Sequence, residues 1–473
     1  MNTAMNTSRR DFFRGVAAFA GFASMGGIRV LAAPQDWKPT KKPDLVFGVL
    51  SDTHLMVNRR NGKTLYPTMS LDYIRNAFTY FKEREIDAFV HLGDASHRGD
   101  SREWEFHKEV FEEVFGTDGP PRIVVVGNHE LFTVDKKWFP NNWQTRMIGA
   151  DLPRHYERVW GEPFSEVLHK EVKGYHFFGN HWGMDEKHGG VKMATYINEH
   201  AAEFGLKGEK PFFILSHKMT YLPCNGRLKA YPNAIGFCGH WHTSLANWHS
   251  IYYDRNYKIF PYINCGACRY DGENGLRTDG LKERPDKNRY PSRQGLVVSV
   301  YEGLAVVMER REFGQGGSLG PKWVFPIGKF DTKPYSRDSL TQKIGIPEFR
   351  AKAKLQVAKV QVEIKEEKPK EGEPPRTEPG IAITVPMADG NPKSRVFAYD
   401  VVVMADDDPN KRYFKSEFFS GVNTGVGHEP DGGVTTIKIP LSELPEGKKY
   451  TIAIRPVSSL ATKGKTIRTT WRA

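Results

Sequence analysis

Residues 123–130 read Ile-Val-Val-Val-Gly-Asn-His-Glu, and this stretch decides the fold. Its first four residues are apolar and β-branched, which is typical of a strand that is buried on both faces. The amide and imidazole side chains that follow can both bind metal ions. In an α/β fold, ligands bind beyond the carboxyl ends of such strands. The stretch therefore predicts a buried strand that ends at a binding site.

Four other polar clusters stand at the ends of apolar runs along the chain. They are Asp52-Thr53-His54, Gly93-Asp94, Ser216-His217 and Gly239-His240-Trp241-His242. Between the runs, apolar residues recur at helical spacing, as at Ile74, Phe78 and Phe81. Strands that alternate with helices predict an α/β fold, and we expect the five clusters to meet beyond its strand ends.

The clusters offer more donor atoms than one metal ion can use. They supply about eight oxygen and imidazole donors, whereas one ion takes about four to six. A carboxylate can bridge two cations roughly 3.5 to 4 Å apart, which is the arrangement used for hydrolytic displacement at phosphorus. We therefore expect two metal ions that share one acidic residue. Donors of this kind suit Mn, Fe, Zn or Co.

The order of these clusters, D-x-H, G-D, G-N-H-E, H and G-H-x-H, resembles that of the calcineurin-like metallophosphoesterases over about residues 45–310. The resemblance implies an α/β fold in which a β-sandwich is flanked by helices, in αββα layers. It also implies two divalent or trivalent ions, Mn, Fe or Zn, and seven metal ligands. These are Asp52, His54 and His242 for the first ion, Asn128, His217 and His240 for the second, and Asp94 as the bridge.

The same resemblance assigns substrate roles near the ligands. Asn128 and His129 are expected to contact the substrate phosphate, and His129 is also expected to protonate the leaving oxygen. A histidine in such a crowded loop could instead only orient Asp52 or Asp94. Arg98 could hold a phosphate bidentately, or lie at the surface without a role.

The reaction implied by the resemblance is hydrolysis of a phosphate ester by a hydroxide that the two metals activate, with His129 and Asp94 as catalytic residues. The substrate is a phosphomonoester or a phosphodiester. One alternative is a phosphodiesterase for cyclic nucleotides or glycerophosphodiesters, and another is a non-catalytic surface-binding protein with a vestigial metal site. Purple acid phosphatases have a tyrosine at the position of His97 and protein phosphatases have an aspartate there, so His97 departs from both branches.

The N-terminus resembles a twin-arginine signal peptide. Arg9 and Arg10 precede a weakly apolar stretch at 15–23, and the small pair Ala32-Ala33 follows. Paired arginines are an address read by a receptor, and the apolar stretch is short for a bilayer span. We expect residues 1–33 to be removed and the mature protein to be periplasmic or extracellular. Because this segment contains four arginines and one aspartate, its removal lowers the formal net charge from +12 to +9.

Composition and charge narrow the class of partner. With 39% hydrophobic and 26% charged residues, the chain is globular rather than disordered, collagen-like or fibrous. Its basic charge favours an anionic partner such as a phosphorylated substrate. Nucleic acid is not expected, because no block of about five like charges occurs. Past the N-terminus no apolar run reaches about 18 residues, so the mature protein is expected to have no transmembrane segment. Nothing in the sequence indicates the oligomeric state.

The character of the sequence changes at about residue 351. From there, seven stretches of alternating apolar residues, separated by turn-rich gaps, predict a small all-β sandwich. The junction before Tyr450 resembles the tyrosine corner of fibronectin type III domains. We therefore expect a signal peptide at 1–33, a metallophosphoesterase domain at 36–330 and a fibronectin type III-like domain at 351–473.

The four cysteines all lie in one part of the chain. They are Cys224, Cys238, Cys265 and Cys268. The last two form a single C-x-x-C, which is half of a four-cysteine zinc site. We expect partly buried thiols or one local disulfide.

Overall fold

The computed structural model describes most of the chain. The described residues are 38–56, 58–60, 63–65, 68–131, 147–184, 190–219, 222–253, 260–269, 293–314, 317–327, 330, 332–363, 376–391, 394, 396–419, 435–444, 446–458, 460 and 462–472. The predicted signal peptide, residues 1–33, lies outside them.

The N-terminal part of the chain contains fourteen described strands. They are β1 (Leu45–Leu50), β2 (Asn58–Arg60), β3 (Lys63–Leu65), β4 (Ala88–His91), β5 (Arg122–Val124), β6 (Val167–Val172), β7 (Tyr175–Asn180), β8 (Phe212–Ser216), β9 (Ala234–Cys238), β10 (Ile251–Tyr253), β11 (Pro261–Asn264), β12 (Gln294–Tyr301), β13 (Ala305–Glu312) and β14 (Trp323–Pro326). The α-helices are α1 (Thr68–Glu83), α2 (Ser101–Phe115), α3 (Leu152–Trp160), α4 (Val191–His200), α5 (Leu222–Arg227) and α6 (Arg337–Ile344).

Two six-stranded sheets form the centre of this domain. The first has the order β14-β13-β12-β1-β4-β5, in which β1, β4 and β5 run parallel. The second has the order β10-β11-β9-β8-β7-β6, in which β7, β8, β9 and β11 run parallel. All six residues of β1 and all five of β8 are buried, as expected for parallel strands covered on both faces.

The two sheets pack face to face around an aromatic core. The ring of Phe47 on β1 makes edge contacts with Phe177, Phe213 and Phe237 of the other sheet, at centroid distances of 5.2, 4.8 and 5.8 Å. Helices α1 and α2 cover the outer face of the first sheet through residues such as Phe78. Helices α4 and α5 contribute to the apolar cluster on the outer face of the second. The predicted αββα layers are confirmed.

The C-terminal part of the chain forms two antiparallel sheets. Its strands are β15 (Gln356–Glu363), β16 (Thr377–Val385), β17 (Val396–Ala405), β18 (Asp408–Phe419), β19 (Thr435–Pro440), β20 (Lys449–Ser458) and β21 (Ile467–Arg472). The sheets have the orders β15-β16-β19 and β18-β17-β20-β21. Residues such as Ile383 and Ile454 from the two sheets share one core, so the predicted all-β sandwich is confirmed.

The cysteines are free thiols in this fold. All four are buried within the apolar core. Burial raises the pKa of Cys238 and of Cys268 to about 12, so these thiols are uncharged and unreactive near neutral pH. Within the described part of the chain, no helix is long and apolar enough to cross a membrane.

Candidate metal centre

Strand ends from both sheets meet at one place in the domain, and the polar clusters follow them. In the first sheet, Asp52 and His54 follow β1, Asp94 follows β4, and Asn128 follows β5; in the second, His217 follows β8, and His240 and His242 follow β9. Asn128 and His240 are half-buried and the other five are buried. The structure therefore brings all seven predicted ligands together.

The first group of donor atoms comes from Asp52, His54, Asp94 and His242. His242 Nε2 lies 3.0 Å from Asp52 Oδ1 and 3.1 Å from His54 Nε2. His54 Nε2 lies 3.7 Å from Asp94 Oδ2. Atoms bound to one ion at about 2.1 Å lie roughly 3.0 to 3.4 Å apart, so these separations are close to those of ligands around a common centre.

The second group contains Asp94, His217, His240 and the amide of Asn128. Asn128 Oδ1 lies 3.0 Å from both His217 Nε2 and His240 Nδ1, which are 3.2 Å apart. The other ring nitrogen of His217, Nδ1, donates to the carbonyl oxygen of Leu92 at 2.7 Å. A ring held in this way presents the lone pair of Nε2 to the group when it is neutral.

Asp94 belongs to both groups through the same atom. Its Oδ2 lies 3.7 Å from His54 Nε2 in the first group and 3.2 Å from His217 Nε2 in the second. Its Oδ1 accepts a hydrogen bond from the backbone N–H of His129 at 2.8 Å. One carboxylate oxygen therefore faces both candidate ion positions, as a bridging ligand requires.

Two features show that these residues fit cations. Asp52 Oδ1 is buried and accepts no well-oriented hydrogen bond from the described residues, although His242 Nε2 lies 3.0 Å away. A buried carboxylate oxygen left in this way is costly unless a cation faces it. Burial also lowers the pKa of His54 well below its ordinary value, and neighbouring His242 lowers it further. His54 is therefore neutral and can offer a lone pair.

The backbone at the candidate ligands is strained. Left-handed φ angles occur at Asp52 (53°), His54 (43°), Asp94 (54°), His240 (66°) and His242 (48°). This conformation is rare outside glycine and costs on the order of 1–3 kcal/mol per residue, so it persists where function requires it. Only three other described non-glycine residues have such angles. The concentration of strain at these five positions supports their role as ligands.

The charge of the two buried aspartates acts on His217. Burial alone would lower the pKa of His217, but Asp94 and Asp52 outweigh it and raise the pKa to about 9. By contrast, burial lowers the pKa of His240 to about 4. The centre is thus an acidic pocket that attracts positive charge.

Gly127 and Gly239 must be glycines, because neighbouring side chains leave no room for a Cβ atom at either position. A Cβ on Gly127 would lie 2.3 Å from Asp94 Oδ1, and one on Gly239 would lie 1.8 Å from Ser51 Oγ. Both contacts are shorter than atoms allow, so any side chain there would displace a ligand loop. This explains why glycine precedes Asn128 and His240 in the sequence.

The sequence of this region matches that of a known family. Residues 45–244 match the family model of the calcineurin-like phosphoesterases. These residues form a calcineurin-like phosphoesterase domain. The domain is a metal-dependent phosphoester hydrolase. No curated protein matches the chain significantly in sequence.

Three solved structures are similar to the chain. A dimetal phosphatase from Danio rerio is 13% identical, with 60% of this chain and 99% of that chain covered and a TM-score of 0.36. The purple acid phosphatase PPD1 from yellow lupin is 12% identical, with 61% and 55% covered and a TM-score of 0.38. A 5'-nucleotidase precursor from Thermus thermophilus is 12% identical, with 64% and 61% covered and a TM-score of 0.25.

Glu130 organises the loops of the phosphoesterase domain, a role that the sequence did not reveal. Its buried carboxylate accepts hydrogen bonds from the backbone N–H groups of Asp94 (2.9 Å), Ser96 (2.8 Å) and Gly127 (2.7 Å). Burial and the charge of Asp94 raise the pKa of Glu130 to about 7. Glu130 therefore joins the loop after β4 to the loop after β5, and so sets the distance between Asp94 and Asn128.

We expect Glu130→Ala to lower the free energy of unfolding by about 3–5 kcal/mol, because it leaves three buried N–H donors without an acceptor. Urea unfolding of chelator-treated protein measures this loss. Glu109→Ala is the matched control, since Glu109 is exposed and pairs with Arg102 at 2.7 Å; that change should cost less than about 1 kcal/mol. Equal losses in the two variants would contradict the role assigned to Glu130.

His91 is a second buried residue that the sequence did not reveal. Its Nδ1 accepts a hydrogen bond from the backbone N–H of Gly93 at 3.2 Å, and its Nε2 lies 3.1 Å from Thr53 Oγ1. Burial lowers the pKa of His91 to about 3. A neutral His91 therefore joins the loops that carry Asp52, His54 and Asp94.

His129 lies beside the candidate ligands of the phosphoesterase domain without belonging to the two groups above. Its Nδ1 donates to the carbonyl oxygen of His97 at 2.8 Å, and its Nε2 lies 3.9 Å from Asp94 Oδ2. Its side chain is 19% exposed. Nε2 is therefore the nitrogen that faces the centre.

His97 lies at the margin of the centre, and Arg98 follows it along the chain. The rings of His97 and His129 stack at 5.3 Å, and His97, His129 and His54 form a third group with metal-ligand spacing. Arg98 is half-buried, and its guanidinium has no hydrogen bond or ion pair among the described residues. It is thus available to an anionic ligand.

An aromatic rim adjoins the second group. Trp182 lies 5.2 Å from the ring of His240, and Trp241, which is 40% exposed, lies 5.6 Å from the same ring. Lys218 Nζ lies 5.9 and 5.7 Å from the centroids of these two indole rings. The sequence placed Trp241 inside a metal motif but gave no signal for the rim.

Proposed function

We propose that the protein is an exported dinuclear phosphohydrolase, with Asp52, His54 and His242 at one ion, Asn128, His217 and His240 at the other, and Asp94 shared. The observation that carries this proposal is the position of Asp94 Oδ2, which faces both groups of donors. Imidazole and carboxylate donors favour Mn, Fe or Zn as the two ions.

The proposed reaction is hydrolysis of a phosphate ester. Two bound cations supply charge that lowers the pKa of a water molecule and neutralises the phosphate oxygens. We assign contacts with the phosphate to Asn128, His129 and Arg98. Because Nδ1 of His129 donates to the carbonyl of His97, a proton carried on Nε2 points toward the centre. We assign that proton to the leaving oxygen.

The test is hydrolysis of matched chromogenic substrates, 4-nitrophenyl phosphate and bis-4-nitrophenyl phosphate. We expect turnover that disappears after chelator treatment and returns with Mn, Zn or Fe. A faster diester would favour the alternative, a phosphodiesterase for cyclic nucleotides or glycerophosphodiesters. Two bound metals without turnover on either ester would indicate a narrower substrate, whereas a chain that binds no metal would favour the surface-binding alternative with a vestigial site.

Export is part of this proposal. It is supported by the pair Arg9-Arg10 before an apolar stretch, in a segment that lies outside the described residues. Periplasmic or extracellular localisation follows if the segment is a twin-arginine signal. Fractionation of cells that express the full chain, with an Arg9→Lys/Arg10→Lys variant as control, tests it. Equal distribution of both chains between compartments would overturn it.

We further propose that residues 351–473 form a fibronectin type III-like domain. The split of seven strands into sheets of three and four supports this. Tyr450, at the start of β20, is fully buried, as a tyrosine-corner residue would be.

A further inference from the structure

The outer face of the four-stranded sheet β18-β17-β20-β21 carries a polar groove of about 410 Å³. Residues such as Val401, Val403 and Ile454 point inward to the core of the sandwich. Their neighbours alternate to the opposite face. Asp400, Val402 and Ala453 therefore line the groove rather than the core.

The register of the four strands shapes the groove. Lys415, Val402, Ala453 and Arg468 form one continuous row across β18, β17, β20 and β21. The two small residues make the floor, and the two long cations stand on the edge strands at either side. Three strand spacings of about 4.8 Å separate the edge positions, which gives a width of roughly 14 Å between their backbones.

Asp400 holds two further cations at one end of the floor. Its Oδ2 accepts a hydrogen bond from Arg455 at 2.5 Å and lies 3.4 Å from Lys463 Nζ. Its Oδ1 and the Nε of Arg455 are buried and have no hydrogen bond among the described residues. The side chain of Asp400 is 8% exposed. Asp400 therefore offsets part of the positive charge of Arg455 and Lys463 at this end of the groove.

Positive charge dominates the groove. Its lining contains five cations, Arg412, Lys415, Arg455, Lys463 and Arg468, and the single carboxylate of Asp400. The guanidinium groups of Arg412 and Arg468 make no hydrogen bond or ion pair within the described part of the chain, and both residues are exposed. Guanidinium forks match the geometry of phosphate and carboxylate.

We propose that this groove binds a small ligand that carries an oxyanion, a phosphate or a carboxylate, on a body the size of a sugar ring. Its volume lies within the range of small-molecule sites, about 300–1,000 Å³. Binding to a membrane surface would require the cations to project from a flat face, whereas these cations line a groove. This site lies on the C-terminal sandwich and is independent of the proposed hydrolysis.

The test is calorimetric titration of the full chain with glucose 6-phosphate, glucuronate and glucose. The Asn128→Ala background is used so that the phosphate ester is not consumed. We expect the two charged sugars to bind and glucose to bind at least tenfold more weakly. Arg412→Gln/Arg468→Gln should weaken binding of the charged sugars at least tenfold. The matched control is Lys359→Gln/Lys438→Gln, which removes two exposed cations from the other sheet of the sandwich and should leave binding unchanged.

The outcomes separate the sources of the ligand. Binding of glucose 6-phosphate alone identifies a phosphate ester, and equal binding of glucuronate identifies acidic sugars as a class. Binding that survives in the Arg412→Gln/Arg468→Gln chain, or no binding of either charged sugar to the parent chain, overturns the proposal. Arg468→Gln alone, with its thermal midpoint measured, replaces the double variant if that chain does not fold. Because the titration is made without turnover, failure here leaves the proposed hydrolysis standing.

Discussion

Asp94→Asn is expected to abolish turnover and to reduce the metal content from two ions per chain to one or fewer. The substitution preserves shape but removes the charge of the only carboxylate oxygen among the described residues that faces both groups of donors. Without that charge, the two ions that these residues would hold would share no anionic ligand, and their mutual repulsion would be less compensated. Metals in such sites supply several kcal/mol of transition-state stabilisation, so kcat/KM should fall on the order of 10³-fold or more.

Metal analysis of the purified chain and kinetics with 4-nitrophenyl phosphate measure the two effects together. Asp118→Asn is the control, since Asp118 is exposed in the turn after α2 and the change removes the same charge by the same isosteric replacement. It should leave metal content and kcat/KM unchanged. An Asp94→Asn chain that keeps two ions and full activity would overturn the proposed centre.

Much of this centre could be predicted from sequence, because its polar residues directly follow buried strands. The run 123–126 and its counterparts before Asp52, Asp94 and His217 are apolar on both faces, which sequence shows directly. Parallel strands place their carboxyl ends together, so the sequence alone predicts that these side chains meet. The division of the seven predicted ligands into two groups came only from the family resemblance. The structure shows groups of the same membership.

Other features depend on contacts between distant residues and have no local sequence signal. Glu130 stands within the quoted motif, yet its three N–H donors come from loops that only the folded chain brings to it. The tautomer of His217 is likewise set by the carbonyl of Leu92, which lies 125 residues away. In the C-terminal sandwich, the strands were predicted from the alternation of apolar and polar residues. The groove, in contrast, follows from the register that aligns Lys415 with Arg468 across four strands.

His129→Ala is expected to lower kcat about 10²- to 10⁴-fold while both ions stay bound, because general acid catalysis contributes about that factor. The structure allows the role of His129 as a general acid to be distinguished from a role in orienting Asp94. Asp94 Oδ1 is held by the backbone N–H of His129, not by its ring. Removal of the imidazole therefore preserves that hydrogen bond.

Substrates with different leaving groups test whether His129 acts as the general acid. An acidic leaving group such as 4-nitrophenolate departs without a proton, whereas an alkoxide needs one. The loss in His129→Ala should therefore be at least tenfold larger with glycerol phosphate than with 4-nitrophenyl phosphate. If both substrates lose activity equally and an ion is lost as well, the imidazole orients the ligands, and the proton must come from another group at the centre.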